Sequence, residues 1–112
     1  MKTISRDDFQ QVELRTGTII DVQDFPEARK PAYKITVDFG ETIGVKKSSA
    51  QITDLYTKEG LINKQIIGVV NFPPKQIGPF VSEFLVTWFV QDGGSVILAV
   101  PDKKIDNEIK LA

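Results

Sequence analysis

Most of this chain alternates apolar and polar residues at the period of a β-strand. The clearest case is AYKITVDF, residues 32–39, where Tyr33, Ile35, Val37 and Phe39 share one face and Lys34, Thr36 and Asp38 the other. Before it, LRTGTIIDVQDF reads as a long strand, with Gly17 predicted as a bulge or bend. The loop FPEARKPA, with two prolines, separates the two. After Gly40 a third strand is predicted at about TIGVKK. Then the period changes. Ser48 and Gln51 fit a capping box, and Ile52, Leu55 and Tyr56 form a helical stripe, which predicts a short helix over residues 48–56. Past Gly60 and Asn63, QIIGVVNF reads as a fourth strand, SEFLVTWFV as a fifth, and SVILAV as a short sixth after the Asp92-Gly93-Gly94 turn. Near the start, Asp7 and Asp8 are predicted to cap a short helix carrying Phe9 and Val12 on one face. The tail DKKIDNEIKLA is only weakly patterned.

Three strands, a helix and two more strands is the order of an OB-fold, a five-stranded Greek-key barrel, here with an N-terminal helix and a C-terminal extension. An SH3-like barrel is the alternative, but it would not ordinarily hold a helix at residues 48–56. In an OB-fold the first–second and fourth–fifth connections are the usual binding loops. Here they are FPEARKPA and PPKQIGPF. Pro73, Pro74 and Pro79 fix φ and lack an N–H, so they cannot sit inside a paired strand. The segment reads as a stiff, exposed connection that holds Lys75 and Phe80 in place.

The totals narrow the chemistry. One domain of 112 residues with 41% hydrophobic content can bury a core. No apolar run reaches the roughly 18 residues of a membrane span, and the first residues lack an apolar signal core, so a cytoplasmic location without membrane insertion is expected. The chain has no cysteine, which removes disulfides, thiolate nucleophiles and Cys-ligated metals. It has no histidine, which removes the commonest general base and zinc ligand. A non-enzymatic protein with no cofactor and no metal is expected. The net charge of −1 hides an asymmetry: residues 29–75 carry +4, and the flanking segments carry −3 and −2. A basic middle fits a surface that faces a polyanion, and it equally fits a solvated face.

VELRTGTI, FPEARKPAYKITVDFG and KKSSAQITDLYTKEGLINKQIIGVVNFPPKQIGPFVSEFLV together resemble the tRNA-binding domain family over about residues 9–101. Within it, SSAQIT, GLINKQ, VVNFPP and SEFLV look like the CsaA branch, small proteins described as secretion-related chaperones. The resemblance implies an OB-fold, a twofold homodimer and no enzymatic activity. It also implies a tRNA-facing segment from Asn71 through Lys75 to Ser82 and Glu83. Lys46, Lys47 and Ser48 stand where the third strand gives way to the predicted helix, and Lys47 is favoured because helix N–H groups attract anions.

This chain departs from the tRNA-binding branch at Phe84-Leu85 and Pro79-Phe80, which add apolar surface. Phe72, Phe80, Phe84 and Trp88 are therefore candidate contacts for hydrophobic peptide, with Phe80 the best exposed aromatic. The expected function is a CsaA-like chaperone that holds unfolded or presecretory polypeptide. A tRNA-binding role, in trans or as an appendage to translation factors, is the alternative.

Overall fold

A computed structural model describes residues 1–112. The elements run α1 (Arg6–Gln10), β1 (Leu14–Asp24), β2 (Tyr33–Asp38), β3 (Val45–Ala50), α2 (Lys58–Leu61), β4 (Gln65–Val69), β5 (Lys75–Ile77), β6 (Phe80–Ser82), β7 (Leu85–Val86), β8 (Trp88–Val90) and β9 (Val96–Leu98). Five strands form one antiparallel sheet in the order β3-β2-β1-β4-β7. The sheet nearly closes: Glu83, just ahead of β7, donates its backbone N–H to the Lys47 carbonyl at 2.7 Å and accepts the Lys47 N–H on its carboxylate at 3.0 Å. This is the five-stranded, nearly closed antiparallel barrel of the OB-fold.

The core follows the alternation read from the sequence. Ile35, Val37 and Phe39 are buried and pack with Ile19, Ile66, Phe84 and Val86. Phe39 and Phe84 meet edge to face, with centroids 4.9 Å apart and planes at 82°. Two glycines make room for this pair. A Cβ on Gly17 would lie 2.5 Å from Val37 and 2.8 Å from Phe39, and one on Gly68 would lie 2.8 Å from Phe39 and 2.9 Å from Phe84. Gly17 is thus kept for close approach and is not the bulge that was predicted. The register shift falls between Ile19 and Asp21.

The predicted helix over residues 48–56 is absent. Ser48, Ala50 and Ile52 are all buried, which is period two, and Ser48 lies on β3, paired with Ile35 of β2. Strand alternation won because all three positions fill the barrel, whereas Leu55 of the supposed helical stripe is exposed. The helix lies later, at α2, where Thr57 caps it by accepting the Gly60 N–H at 3.0 Å. At the N-terminus the cap is Ser5, with Asp8 as its capping-box partner, so Asp7 and Asp8 lie inside the first turn.

Other differences concern the segment after β4. The connection over residues 73–79 is itself a hairpin, with β5 pairing β6 through Lys75↔Ser82 and Ile77↔Phe80. All three prolines stay outside its strands. The predicted fifth strand splits into β6, β7 and β8. Thr87 interrupts it by turning both its N–H and its hydroxyl onto the Ile67 carbonyl, at 3.1 and 2.8 Å.

The weakly patterned tail also has a place. Residues 14–17 of β1 have no β2 partner, and an unpaired strand edge is a liability. The tail covers it: Thr16 donates to Ile109, Glu108 to Thr16 and Leu111 to Leu14, at 3.1, 2.9 and 2.8 Å. No helix is long and apolar enough to cross a membrane.

Candidate functional site

The outer face of the barrel carries the polar half of the alternation. Thr36 of β2 stands opposite Lys47 of β3, and Gln23 of β1 opposite Lys34 of β2. Residues directly opposite share a face, so Lys34, Thr36 and Lys47 gather outside, while Lys46, opposite Val37, takes the barrel-side parity. The hairpin β5–β6 leans over this face. Together they enclose a cleft of about 90 Å³ lined by Asp21, Gln23, Lys34, Thr36, Lys47 and Phe80.

Phe80 forms one wall. It is half-buried and meets Phe25 edge to face at 5.4 Å and 60°. The Lys34 ammonium lies 5.5 Å from the Phe25 ring centroid, in cation–π range. The hairpin is clamped to β3 by a hydrogen bond between the Ser48 and Ser82 hydroxyls at 3.1 Å. Ser82 shares its hairpin face with Lys75, its direct cross-strand partner, so the clamp also fixes the base of Lys75.

The electrostatics are one-sided. The chain's three ion pairs are Arg15–Glu13, Lys58–Asp24 and Lys110–Glu13, so none involves Lys34, Lys47 or Lys75. Asp21, the one acid lining the cleft, accepts a hydrogen bond from Gln23 at 3.1 Å. Glu83 is engaged by the Lys47 backbone. Lys34 and Lys47 beside an aromatic wall, with Lys75 on the overlying hairpin, can hold phosphate and present a face for a base. Nothing here resembles a nucleophile with its base, and no group of acidic residues gathers to hold a metal.

The predicted site residues therefore divide. Lys47, Lys75, Phe80, Ser82 and Glu83 come together at the cleft and its clamp. Ser48 is buried beneath, as the other half of the clamp, and not at a helix start. Asn71 lies apart. Its amide accepts from the Glu13 N–H at 3.0 Å and donates to the Gln11 carbonyl at 2.8 Å, tying the segment after α1 to the barrel. Phe84, expected to face peptide, is corrected: it is 4% exposed and belongs to the core. Trp88 is half-buried against that core, and Phe72 is exposed. Sequence reasoning missed Lys34, Phe25 and Gln23. The signal was available, because Lys34 and Thr36 were already on the polar face of the second strand, and OB-folds bind oligonucleotides on the face of their second and third strands.

Three cations outside the cleft, Arg15, Lys58 and Lys110, are paired with carboxylates. Glu13 accepts from Arg15 at 2.6 Å and from Lys110 at 2.9 Å, and these bonds, the Lys110 bond foremost, hold its carboxyl below the ordinary value. Lys58 is held above its ordinary value by the hydrogen bond to Asp24.

Comparison with known proteins fits this geometry. A solved structure of the CsaA chaperone protein from Picrophilus torridus is 51% identical, with a TM-score of 0.91, covering 98% of this chain and 100% of that one. Chaperone CsaA from Bacillus anthracis is 44% identical, with a TM-score of 0.93, covering 99% and 100%. The methionine–tRNA ligase of Thermococcus onnurineus is 34% identical over 99 residues, 88% of this chain and 13% of the ligase. The chain thus spans about an eighth of that enzyme's length. The family described as "Putative tRNA binding domain" matches residues 14–109, and the chain belongs to that family.

Proposed function

We propose that this protein is a non-catalytic RNA-binding domain that takes tRNA on the outer face of β1–β3, under the β5–β6 hairpin. The observation that carries the reading is the pair of cations Lys34 and Lys47, outside any ion pair, lining the cleft with the aromatic wall of Phe80, with Lys75 on the hairpin that covers it. Ammonium groups held on strands and a clamped hairpin approach phosphates with little ordering cost, and an aromatic ring face offers a stacking surface for an unpaired base. The family description and the match to a small part of a methionine–tRNA ligase support it.

The test is an anisotropy titration of labelled tRNA at low and physiological salt, with a Lys47→Ala, Lys75→Ala variant alongside. Loss of two phosphate contacts flattens the log–log salt slope by about 1.4–1.8 units. Absent binding at low salt, or an unchanged slope, would refute the reading.

A second reading, holding of unfolded or presecretory polypeptide in the cytoplasm by a homodimer, rests on a different observation. Phe72, Val81, Leu85, Phe89, Val90 and Ile97 are exposed apolar residues, with Phe89 and Val90 each 66% exposed. Phe89 of β8 and Ile97 of β9 are direct cross-strand partners, and adjoining exposed apolar residues mark interaction sites. The two CsaA chaperones among the similar structures support it. The tRNA reading takes precedence because Phe84, the residue that most favoured a peptide groove, lies in the core. Suppressed aggregation of an unfolded test protein, abolished by Phe89→Ser with tRNA binding intact, would establish the second activity as separate.

A further inference from the structure

A second cleft, of about 710 Å³, opens between the start of β4 and the tail. Thr18, Asn63 and Gln65 line it together with Lys64, Lys103 and Lys104, and Asp102 is its single acid. None of the three lysines belongs to an ion pair. The walls are held in place. Gln65 exchanges two hydrogen bonds with the Ile105 backbone, and Thr18 donates to the Asn107 side chain at 2.8 Å. Asn63 sits in the left-handed region at φ 70°, with its N–H on the Ile19 carbonyl at 2.8 Å. Lys64 is half-buried, its ammonium 6.0 Å from the Tyr56 ring centroid. A polar depression with three ammonium groups outside any ion pair, its walls held at Lys64, Gln65 and Ile105, suits phosphate and disfavours an apolar ligand.

Its position relative to the Phe80 cleft gives it meaning. Thr18 at one cleft and Asp21 and Gln23 at the other all lie on β1. At about 3.3 Å per residue, three to five residues along the strand is roughly 10–16 Å. That is within the span of a few nucleotides of one backbone. We infer that the Lys64–Lys103–Lys104 cleft is a second phosphate-binding site for the RNA held at the Phe80 cleft, so that the RNA track continues along β1 to the C-terminal tail. This rests on the tRNA reading above and extends its footprint.

The experiment is a titration of ¹⁵N-labelled protein with tRNA, followed through backbone amides, combined with salt slopes for a Lys64→Gln, Lys103→Gln, Lys104→Gln variant. A Lys103→Gln, Lys104→Gln variant provides the same test without touching half-buried Lys64. The triple variant is expected to flatten the log–log slope by about 2.1–2.7 units and the double by about 1.4–1.8. Amides of Lys64, Gln65 and Lys103 are expected to shift together with those of Lys47 and Phe80. Shifts confined to Lys47 and Phe80, with both variants at the wild-type slope, overturn the second site and leave the first. Shifts confined to Lys64, Gln65 and Lys103 keep this cleft and overturn the first. No shift at either overturns both.

Discussion

Phe39 and Phe84 meet edge to face at 4.9 Å inside the barrel, and Phe25 and Phe80 meet in the same way at 5.4 Å beside its outer cleft. The contact is alike but its surroundings differ. The inner pair is sealed by Gly17 and Gly68, and both rings are buried. The outer pair has the Lys34 ammonium over one ring, and its other ring walls a cleft with Lys47. Charges divide in the same way. Around Glu13, the cations Arg15 and Lys110 are spent on a carboxylate and hold the N-terminal segment, β1 and the tail together. Around Phe80, the cations have no carboxylate partner. Where aromatic and charged groups satisfy one another they stabilise the fold, and where they are left open they are available to a ligand.

The sharpest way to break this comparison is to truncate one ring from each pair. Phe84→Ala is expected to cost about 3–5 kcal/mol of stability, the range for a large core truncation. Phe80→Ala is expected to cost clearly less stability and to weaken tRNA binding by about 1–3 kcal/mol, the worth of one stacked base. Urea denaturation and anisotropy measure the two quantities. Equal stability losses, with tRNA affinity untouched by Phe80→Ala, would erase the distinction.

Asn71 gives the next effect. It falls in the segment that the family resemblance makes tRNA-facing, yet its amide ties Glu13 and Gln11 to the end of β4. Asn71→Ala is expected to lower stability by about 1 kcal/mol for the lost hydrogen bonds and to leave the salt slope of tRNA binding at its wild-type value. A changed slope would move Asn71 into the interface.

The smallest effect concerns pH. Glu13 has a lowered folded-state pKa, so its contribution is present above the ordinary value of 4.5 and is lost as pH falls through the lower folded value. The melting-temperature advantage of the wild type over Glu13→Gln is expected to hold at neutral pH and to shrink below about pH 4.5. An advantage constant down to pH 2 would show that the Glu13 pairing is not its source.

Much of this arrangement was legible beforehand, for identifiable reasons. The alternation of residues 32–39 fixed both faces of β2, because strand period and burial agree there. Ser48 misled because a hydroxyl residue followed three positions later by glutamine fits a capping box, while the buried alternation of Ser48, Ala50 and Ile52 rests on small residues with little apolar signal. Phe84 looked like surplus apolar surface because both parities of SEFLVTWFV are apolar. Only three-dimensional packing shows that one parity fills the barrel and that Leu85 and Phe89 take the other. The tail was unreadable because its role is backbone pairing to the free edge of β1, which leaves almost no side-chain pattern.

The central claim is that unpaired cations bind polyanion while paired cations stabilise the fold. The most direct measurement compares tRNA salt slopes for a Lys34→Gln, Lys47→Gln, Lys75→Gln variant and a Lys58→Gln, Lys110→Gln variant, each verified as folded. The account predicts that the first loses about 2.1–2.7 units of slope and the second keeps the wild-type slope. A loss shared in proportion to the charge removed, or a loss in the second variant alone, would contradict it.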